Sequence, residues 1–136
     1  MDEREIVLID TSSWIEALRS SGMSDVRDRV MRLMVDGRAA WCDMVLVELW
    51  NGARGYYEKR KLAELEKEMM NLEITSGVWE TARSLARKCR QAGQTVPTAD
   101  LVITACALVH NAGMEHCDSH IETILKMYSH GKQRKG

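Results

Sequence analysis

The chain has 136 residues, a length typical of one domain, and its composition of 45% hydrophobic and 29% charged residues is that of a soluble globular protein. Its formal net charge of −1 excludes an overall positive field, so any site for a polyanion has to be a local patch. No apolar run has the length of about 18 residues that a membrane span needs, and the acidic start lacks the layout of a signal peptide. A cytoplasmic protein with reduced cysteines is therefore predicted.

The first half of the chain is predicted to alternate short strands with longer helices. The runs IVLI at 6–9 and AAWC at 39–42 have the continuous apolar pattern of short buried strands. Ser13 and Glu16 have the spacing of a capping box, which predicts that the first helix begins at Ser13. The other helices predicted in this half cover 24–36, 44–53 and 56–70.

The second half continues this alternation. Strands are predicted at 72–74 and 114–117, and helices are predicted over 77–92, 99–112 and 119–128. Because strands and helices alternate, the sequence predicts an α/β fold with βαβ crossovers, in which helices cover both faces of a short parallel sheet of four to five strands. The predicted organisation is a single domain over 1–130 and a flexible basic tail at 131–136.

Asp10 and Asp118 each follow a predicted strand directly. In parallel sheets, ligands bind at the carboxyl ends of the strands, near the point where the strand order reverses. An alternative for Asp10 is that it caps the next helix, but the capping box at Ser13 predicts that Asp10 lies too far upstream. Asp118 has the same arrangement, since Ser119 and Glu122 form a second capping box, and the alternative there is a solvated turn acid.

Asp100 and Glu48 are acids next to apolar sequence. Asp100 lies in the first turn of a predicted helix, where the helix dipole stabilises an acid by roughly 0.3–1 kcal/mol. The run LVITACALV that follows has no charge on any face, so this helix is predicted to be buried all round, and Asp100 then borders the interior. Glu48 is the single charge in MVLVELW, which predicts either a salt bridge with a lysine or arginine or a metal ligand.

Carboxylates on four separate elements repel one another if they meet, and divalent cations remove that repulsion. An all-oxygen site suits Mg²⁺ or Mn²⁺ rather than a soft metal. One bound ion polarises a scissile phosphate and lowers the pKa of a bound water, and a second ion about 3.5–4 Å away stabilises the leaving oxygen. The sequence therefore predicts a metal-dependent phosphodiester hydrolase with the candidate site residues Asp10, Glu48, Asp100 and Asp118.

Four segments of the chain, over about residues 6–128, resemble the motifs of PIN domains and more narrowly those of VapC-type toxins from prokaryotic toxin–antitoxin pairs. They are IDTSSWIE with Asp10, VLVELWNG with Glu48, TADLVITACAL with Asp100 and HCDSHI with Asp118. The resemblance implies a three-layer α/β/α sandwich and a Mg²⁺- or Mn²⁺-dependent endoribonuclease, in which these four acids are the catalytic and metal-binding residues. It also implies a homodimer and a small VapB-like antitoxin that wraps the toxin and blocks its site.

The resemblance extends to the neighbours of these acids. A hydroxyl beside the first acid, from Thr11 or Ser12, would orient the carboxylate. The fourth motif departs from the family pattern: His116 stands where a serine or threonine is usual, and Ile121 stands where a phenylalanine is usual. Loss of Asp118 therefore need not abolish cleavage.

Contacts with RNA are predicted on one helix and beside the last acid. Arg83, Arg87 and Arg90 share one face of the helix predicted at 77–92, where they can contact phosphates or form an ordinary solvated face. His120 can contact RNA, shuttle a proton or be a satisfied surface histidine.

Several other functions are compatible with parts of the sequence. A zinc site is conceivable because five potential ligands lie close together, but they lack the paired spacing of such sites: Cys106, His110, His116, Cys117 and His120. A phosphohydrolase of the haloacid-dehalogenase type needs an acid two residues after the first, where this chain has Ser12. A non-catalytic PIN-fold module that binds RNA or a partner, and a PIN nuclease of RNA processing outside a toxin–antitoxin pair, remain as alternatives.

Overall fold

The computed structural model describes residues 5–135, with side chains for residues 5–130. In this part of the chain, four short parallel strands form one sheet in the order β3-β2-β1-β4. The strands are β1 (Val7–Ile9), β2 (Ala39–Trp41), β3 (Met70–Asn71) and β4 (Gly113–Glu115). Parallel neighbours need crossover connections, and helices provide them here.

Helices on both faces of the sheet make the molecule a three-layer α/β/α sandwich, so the predicted fold class is confirmed. One group consists of α1 and α2, which pack on each other, and another consists of α5, α6 and α7. The helices of the described chain are α1 (Thr11–Leu18), α2 (Ser24–Val35), α3 (Asp43–Gly52), α4 (Gly55–Glu66), α5 (Ser76–Gln91), α6 (Thr98–Val109) and α7 (Ser119–Lys135). None of them is long and apolar enough to cross a bilayer.

The core forms around the two central strands and α6. Every residue of β1 and β2 is buried, which confirms that these runs are interior strands. Trp14 of α1 packs against Trp41 of β2 with the ring centroids 5.4 Å apart. Residues 101–107 of α6 are all buried, as the absence of charge in this helix predicts. Burial of each large apolar side chain contributes about 1.5–3 kcal/mol, so this core holds the ends of β1 and α6 in place.

The strand order reverses between β1 and β4. The chain passes from β1 to β2 and then outward to β3, and it returns to the other side of β1 for β4. The backbone N–H of Asp10 donates to the carbonyl of Glu115 at 2.9 Å, so the two strands stay paired to their carboxyl ends. Such a reversal opens a crevice beyond the strand ends, and this crevice is where the acids of the first and last motifs lie.

The boundaries of β3, α4 and α7 are among those that differ from the sequence prediction. β3 pairs at Met70–Asn71, where 72–74 was predicted, because Leu72 and Ile74 pack their side chains against the core just after this exposed edge strand ends. α4 consequently ends at Glu66, before the predicted end at 70. α7 continues to Lys135, beyond the predicted end at 128. The side chains of the predicted basic tail, 131–136, lie outside the described residues, so its flexibility stays a prediction.

Candidate metal centre

Asp10 connects β1 directly to α1 and is the N-cap of that helix. Its backbone is extended, with φ −71° and ψ 159°, and its Oδ2 accepts hydrogen bonds from the backbone N–H of Ser12 at 3.0 Å and from the Ser12 hydroxyl at 2.6 Å. The prediction that α1 begins at Ser13, with Asp10 too far upstream to cap it, was therefore wrong. No loop separates strand from helix here, so the residue that ends the strand also caps the helix.

The capping role leaves one oxygen of Asp10 free. The residue is only 1% exposed, and within the described chain its Oδ1 is buried without any hydrogen-bond partner. An unpartnered buried carboxylate oxygen is costly, because it has lost its water and gained nothing in return. A cation bound at Oδ1 would remove this cost, so the cap and a metal site are compatible.

Two hydroxyls beside Asp10 contact two different acids. Ser12 donates to Asp10 and also accepts from the backbone N–H of Cys117 at 2.9 Å, so it joins the start of α1 to the loop after β4. Thr11 donates to Oε1 of Glu48 at 2.7 Å. Each hydroxyl thus restricts the orientation of one carboxylate, whereas the sequence placed both at the first acid.

Glu48 is half-buried on α3. The alternative of a salt bridge is not realised among residues 5–130, since no lysine or arginine lies within 4.0 Å of its carboxylate there. Its hydrogen bond to Thr11 uses one carboxylate oxygen. The other oxygen remains available to a ligand in the crevice.

Asp100 shows that the four acids meet. It is 6% exposed in the first turn of α6, and its pKa is raised from 3.8 to about 7. The largest cause is burial, followed by the negative charges of Asp118 and Asp10, a hydrogen bond with Asp118, and the charge of Glu48. Each of the other three candidate acids therefore lies close enough to Asp100 to disfavour its ionised form.

Asp118 repeats the arrangement of Asp10 at the start of α7. Its Oδ1 accepts from the backbone N–H of His120 at 2.8 Å, and its carbonyl accepts from that of Glu122 at 3.3 Å. Asp118 therefore caps α7, and the prediction that Ser119 supplies the cap was wrong. Asp10 and Asp118 are both caps because a helix begins one residue after each of them. The prediction that Asp118 directly follows a strand was wrong, because β4 ends at Glu115 and a short loop precedes Asp118.

The imidazole of His120 lies between two of the acids. Its Nδ1 is 3.3 Å from Oδ1 of Asp118 and 3.8 Å from Oδ2 of Asp100. One ligand atom from each of these three residues lies within 4.8 Å of the others. Among the described residues no other three potential ligands lie this close together, and Asp10 and Glu48 do not belong to this group. The sequence suggested RNA contact or proton transfer for His120 but gave no sign that its ring adjoins Asp100, which is 20 positions earlier.

The donor set of this acid cluster, which we define as Asp10, Glu48, Asp100 and Asp118, fits a hard divalent cation. All four side chains offer carboxylate oxygens, and in the described part of the chain none of them is paired with a lysine or arginine. Helix N-termini at Asp10, Asp100 and Asp118 supply only partial positive charge. The chemistry of the ligands therefore matches Mg²⁺ or Mn²⁺.

The zinc alternative is not supported by the positions of the cysteines. Cys106 is buried in α6, where its thiol donates to the carbonyl of Leu72, and His110 contacts the carbonyl of Glu73. Neither belongs to the group of potential ligands that the described residues form, and that group contains no cysteine.

The three arginines predicted to contact RNA are exposed on α5 and do not enter the acid cluster. Arg83, Arg87 and Arg90 make no ion pair with a carboxylate in the described part of the structure. α5 packs on both α6 and α7, the helices that carry Asp100 and Asp118. These cations therefore lie on a helix that neighbours the two acid-bearing helices, and a role in RNA binding stays a prediction.

Comparison with known proteins assigns the family. A family model described as PIN domain matches residues 7–124. The chain belongs to the PIN domain family. Two relatives, Ribonuclease VapC11 from Mycobacterium tuberculosis and VapC ribonuclease Mb1587 from Mycobacterium bovis, are each 30% identical to it over 126 residues, which is 90% of this chain and 93% of theirs. The resemblance stated from the four motifs is thus confirmed at the level of the family.

Solved structures with the same fold include a member of the VapBC family of toxin–antitoxin systems. FitAcB from Neisseria gonorrhoeae matches this PIN domain with a TM-score of 0.73 and 19% identity over 88% of this chain and 92% of that one. VapBC-5 from Mycobacterium tuberculosis has a TM-score of 0.63 and 20% identity over 88% and 90%. At these identities the likeness supports the fold of the PIN domain, and the site rests on the residues themselves.

We expect Asp100→Asn to stabilise the metal-free protein at alkaline pH. Folding raises the pKa of Asp100 from 3.8 to about 7, so between these values the folded state holds a proton that the unfolded state has lost. The free energy of unfolding therefore falls as pH rises through about 7, and the neutral amide avoids this loss. In EDTA at pH 8 the variant should be more stable than the wild type by on the order of 2 kcal/mol, and the difference should vanish near pH 4.

Urea unfolding at pH 4, 6 and 8 measures this difference, with Asp28→Asn as control because Asp28 is an exposed acid on α2. Parallel pH curves for the wild type and Asp100→Asn would show that Asp100 is ionised normally in the folded protein.

Proposed function

We propose that this protein is a metal-dependent endoribonuclease that hydrolyses RNA phosphodiester bonds as the toxin of a VapBC-type toxin–antitoxin pair. The observation that carries the proposal is the acid cluster at the reversal point of the sheet, which includes the buried and unpartnered Oδ1 of Asp10. Kinship with VapC ribonucleases over 90% of the chain supports the same chemistry and an RNA substrate. Cytoplasmic location belongs to this proposal, since the substrate is there.

Mg²⁺ or Mn²⁺ would be held by Asp10 and Asp100, with Asp118 and Glu48 completing the site. Such an ion would polarise a phosphate oxygen and lower the pKa of a bound water. The protein contributes orientation: Ser12 bonds Oδ2 of Asp10 and leaves Oδ1 without a hydrogen-bond partner, and Thr11 bonds one oxygen of Glu48. The packed ends of β1 and α6 keep these carboxylates at constant separation while they repel one another.

RNA would approach with its phosphates, which the bare acid cluster repels. Bound cations would therefore have two roles: they would promote hydrolysis, and they would offset the repulsion between the acids and the RNA phosphates. Arg83, Arg87 and Arg90 on the outer face of α5 add positive charge beside the site, and contacts of this kind give affinity without sequence choice.

A small VapB-like antitoxin and a second copy of the chain are the proposed partners. Structural neighbours are described as complexes of VapBC2 from Rickettsia felis and of a toxin–antitoxin pair from Klebsiella pneumoniae. Beside Glu48, a groove between α1, α3 and α4 has the apolar floor Ile15, Leu18, Leu49 and Leu62, which suits a helix or extended segment that would also cover the acids. Exposed Trp50, Tyr56 and Tyr57 offer aromatic surface for a dimer contact.

We expect Asp10→Asn and Asp100→Asn to abolish Mg²⁺-dependent RNA cleavage, by at least about 100-fold, without loss of the fold. Asparagine caps helices as well as aspartate does, so the Asp10→Asn variant keeps α1 while its ligand to the cation is weakened. Cleavage of total RNA by the purified protein, with EDTA and Asp28→Asn as controls, measures this. Normal cleavage by either variant would remove that acid from the site, and RNA binding without cleavage by the wild type would favour a non-catalytic module.

We expect Mn²⁺ or Mg²⁺ to raise the melting temperature of the wild-type protein by several degrees. A cation that binds only the folded state at 100 times its Kd contributes about 2.7 kcal/mol, and it also relieves carboxylate repulsion. Thermal unfolding across micromolar to millimolar metal tests this, and Asp10→Asn should reduce the shift. A melting temperature that stays constant over that range would contradict a preformed site.

A further inference from the structure

We propose that His120 is a nitrogen ligand to the cation of this site and that it biases the protein toward Mn²⁺ over Mg²⁺. This inference rests on the proposed metal-dependent function, which it makes more specific. Four carboxylates alone are equally suitable for the two ions, whereas an imidazole is a ligand that Mn²⁺ and later transition metals accept more readily than Mg²⁺ does.

The distances around His120 match those of ligands that share an ion. With metal–ligand bonds of about 2.1 Å, adjacent octahedral ligands are about 3 Å apart and opposite ligands about 4.2 Å apart. Nδ1 of His120 is 3.3 Å from Oδ1 of Asp118 and 3.8 Å from Oδ2 of Asp100. The three ligand atoms lie within 4.8 Å of one another, so small adjustments would place one ion among them.

A second observation indicates that a cation belongs at this place. Oδ1 of Asp10, on a residue that is 1% exposed, has no partner in the described structure, and the charge of Asp10 acts on Asp100. The carboxylate of Asp10 and the imidazole of His120 therefore both interact electrostatically with the carboxyl group of Asp100. An ordinary ion pair of His120 with the two acids would leave Oδ1 of Asp10 unpartnered.

The position of His120 in α7 supports a ligand role over a packing role. Its backbone N–H donates to Asp118, which places the residue in the first turn beside that acid, and its side chain is half-exposed and is not part of the apolar core. Nδ1 is the ring nitrogen that faces the two carboxylates, so it is the atom in a position to bind an ion between them.

Metal affinity of the full chain, measured without RNA, tests the proposal. We expect His120→Gln to weaken Mn²⁺ binding at least about tenfold and Mg²⁺ binding less than about threefold, because Mg²⁺ readily replaces the missing ligand with water. Electron paramagnetic resonance of free Mn²⁺ gives the first affinity and competition with Mg²⁺ gives the second. His130→Gln, an exposed histidine on the same helix, is the matched control.

Electron spin-echo measurements of bound Mn²⁺ separate a ligand from a merely structural residue. Wild-type protein and His130→Gln should show coupling of the metal to an imidazole nitrogen, and His120→Gln should lack it. Mn²⁺ bound to the wild type without nitrogen coupling, or equal loss of affinity for both ions in His120→Gln, would overturn the role of His120 and leave the nuclease proposal intact. Failure of the wild type to bind either ion would instead overturn the metal-dependent function together with this inference.

Discussion

Repulsion among four carboxylates is the constraint on which the rest of this structure depends. Asp10, Glu48, Asp100 and Asp118 come from four elements, and burial together with their mutual repulsion raises the pKa of Asp100 to about 7. Such an arrangement is unfavourable for the bare protein, and it persists because β1, β2 and α6 are packed tightly enough to hold their ends together. The stability of the core is thus partly used to keep charges where a cation can bind them.

Small polar residues fix the orientation of two of these carboxylates through hydrogen bonds. Ser12 bonds to one oxygen of Asp10 and leaves the other free, and Thr11 does the same for Glu48. The helix caps contribute in the same way, because Asp10 and Asp118 each use part of their hydrogen-bonding capacity to start a helix. In this way the side chains that begin two of the helices also supply two carboxylates of the acid cluster.

The sequence was sufficient to predict the α/β class, and it singled out the four acids because each of them adjoins an apolar run; their roles stay a prediction. It was insufficient for the caps, since Asp10 and Ser13 are only three residues apart and short-range patterns do not resolve which of them is the N-cap. The position of β3 depended on pairing with Trp41, and the place of the His120 ring depended on how α6 and α7 pack. Both features depend on contacts between distant parts of the chain, so no local sequence pattern predicts them.

The central position of β1 between β2 and β4 has a consequence for biosynthesis. The first acid of the cluster is residue 10 of 136 and the last is residue 118, and they meet only when β4 pairs with β1. A nascent chain therefore cannot assemble the whole acid cluster until the segment that contains β4 and Asp118 has left the ribosome. Until then the polypeptide carries Asp10, Glu48 and Asp100 without the fourth acid, so any property that needs all four carboxylates appears only late in synthesis.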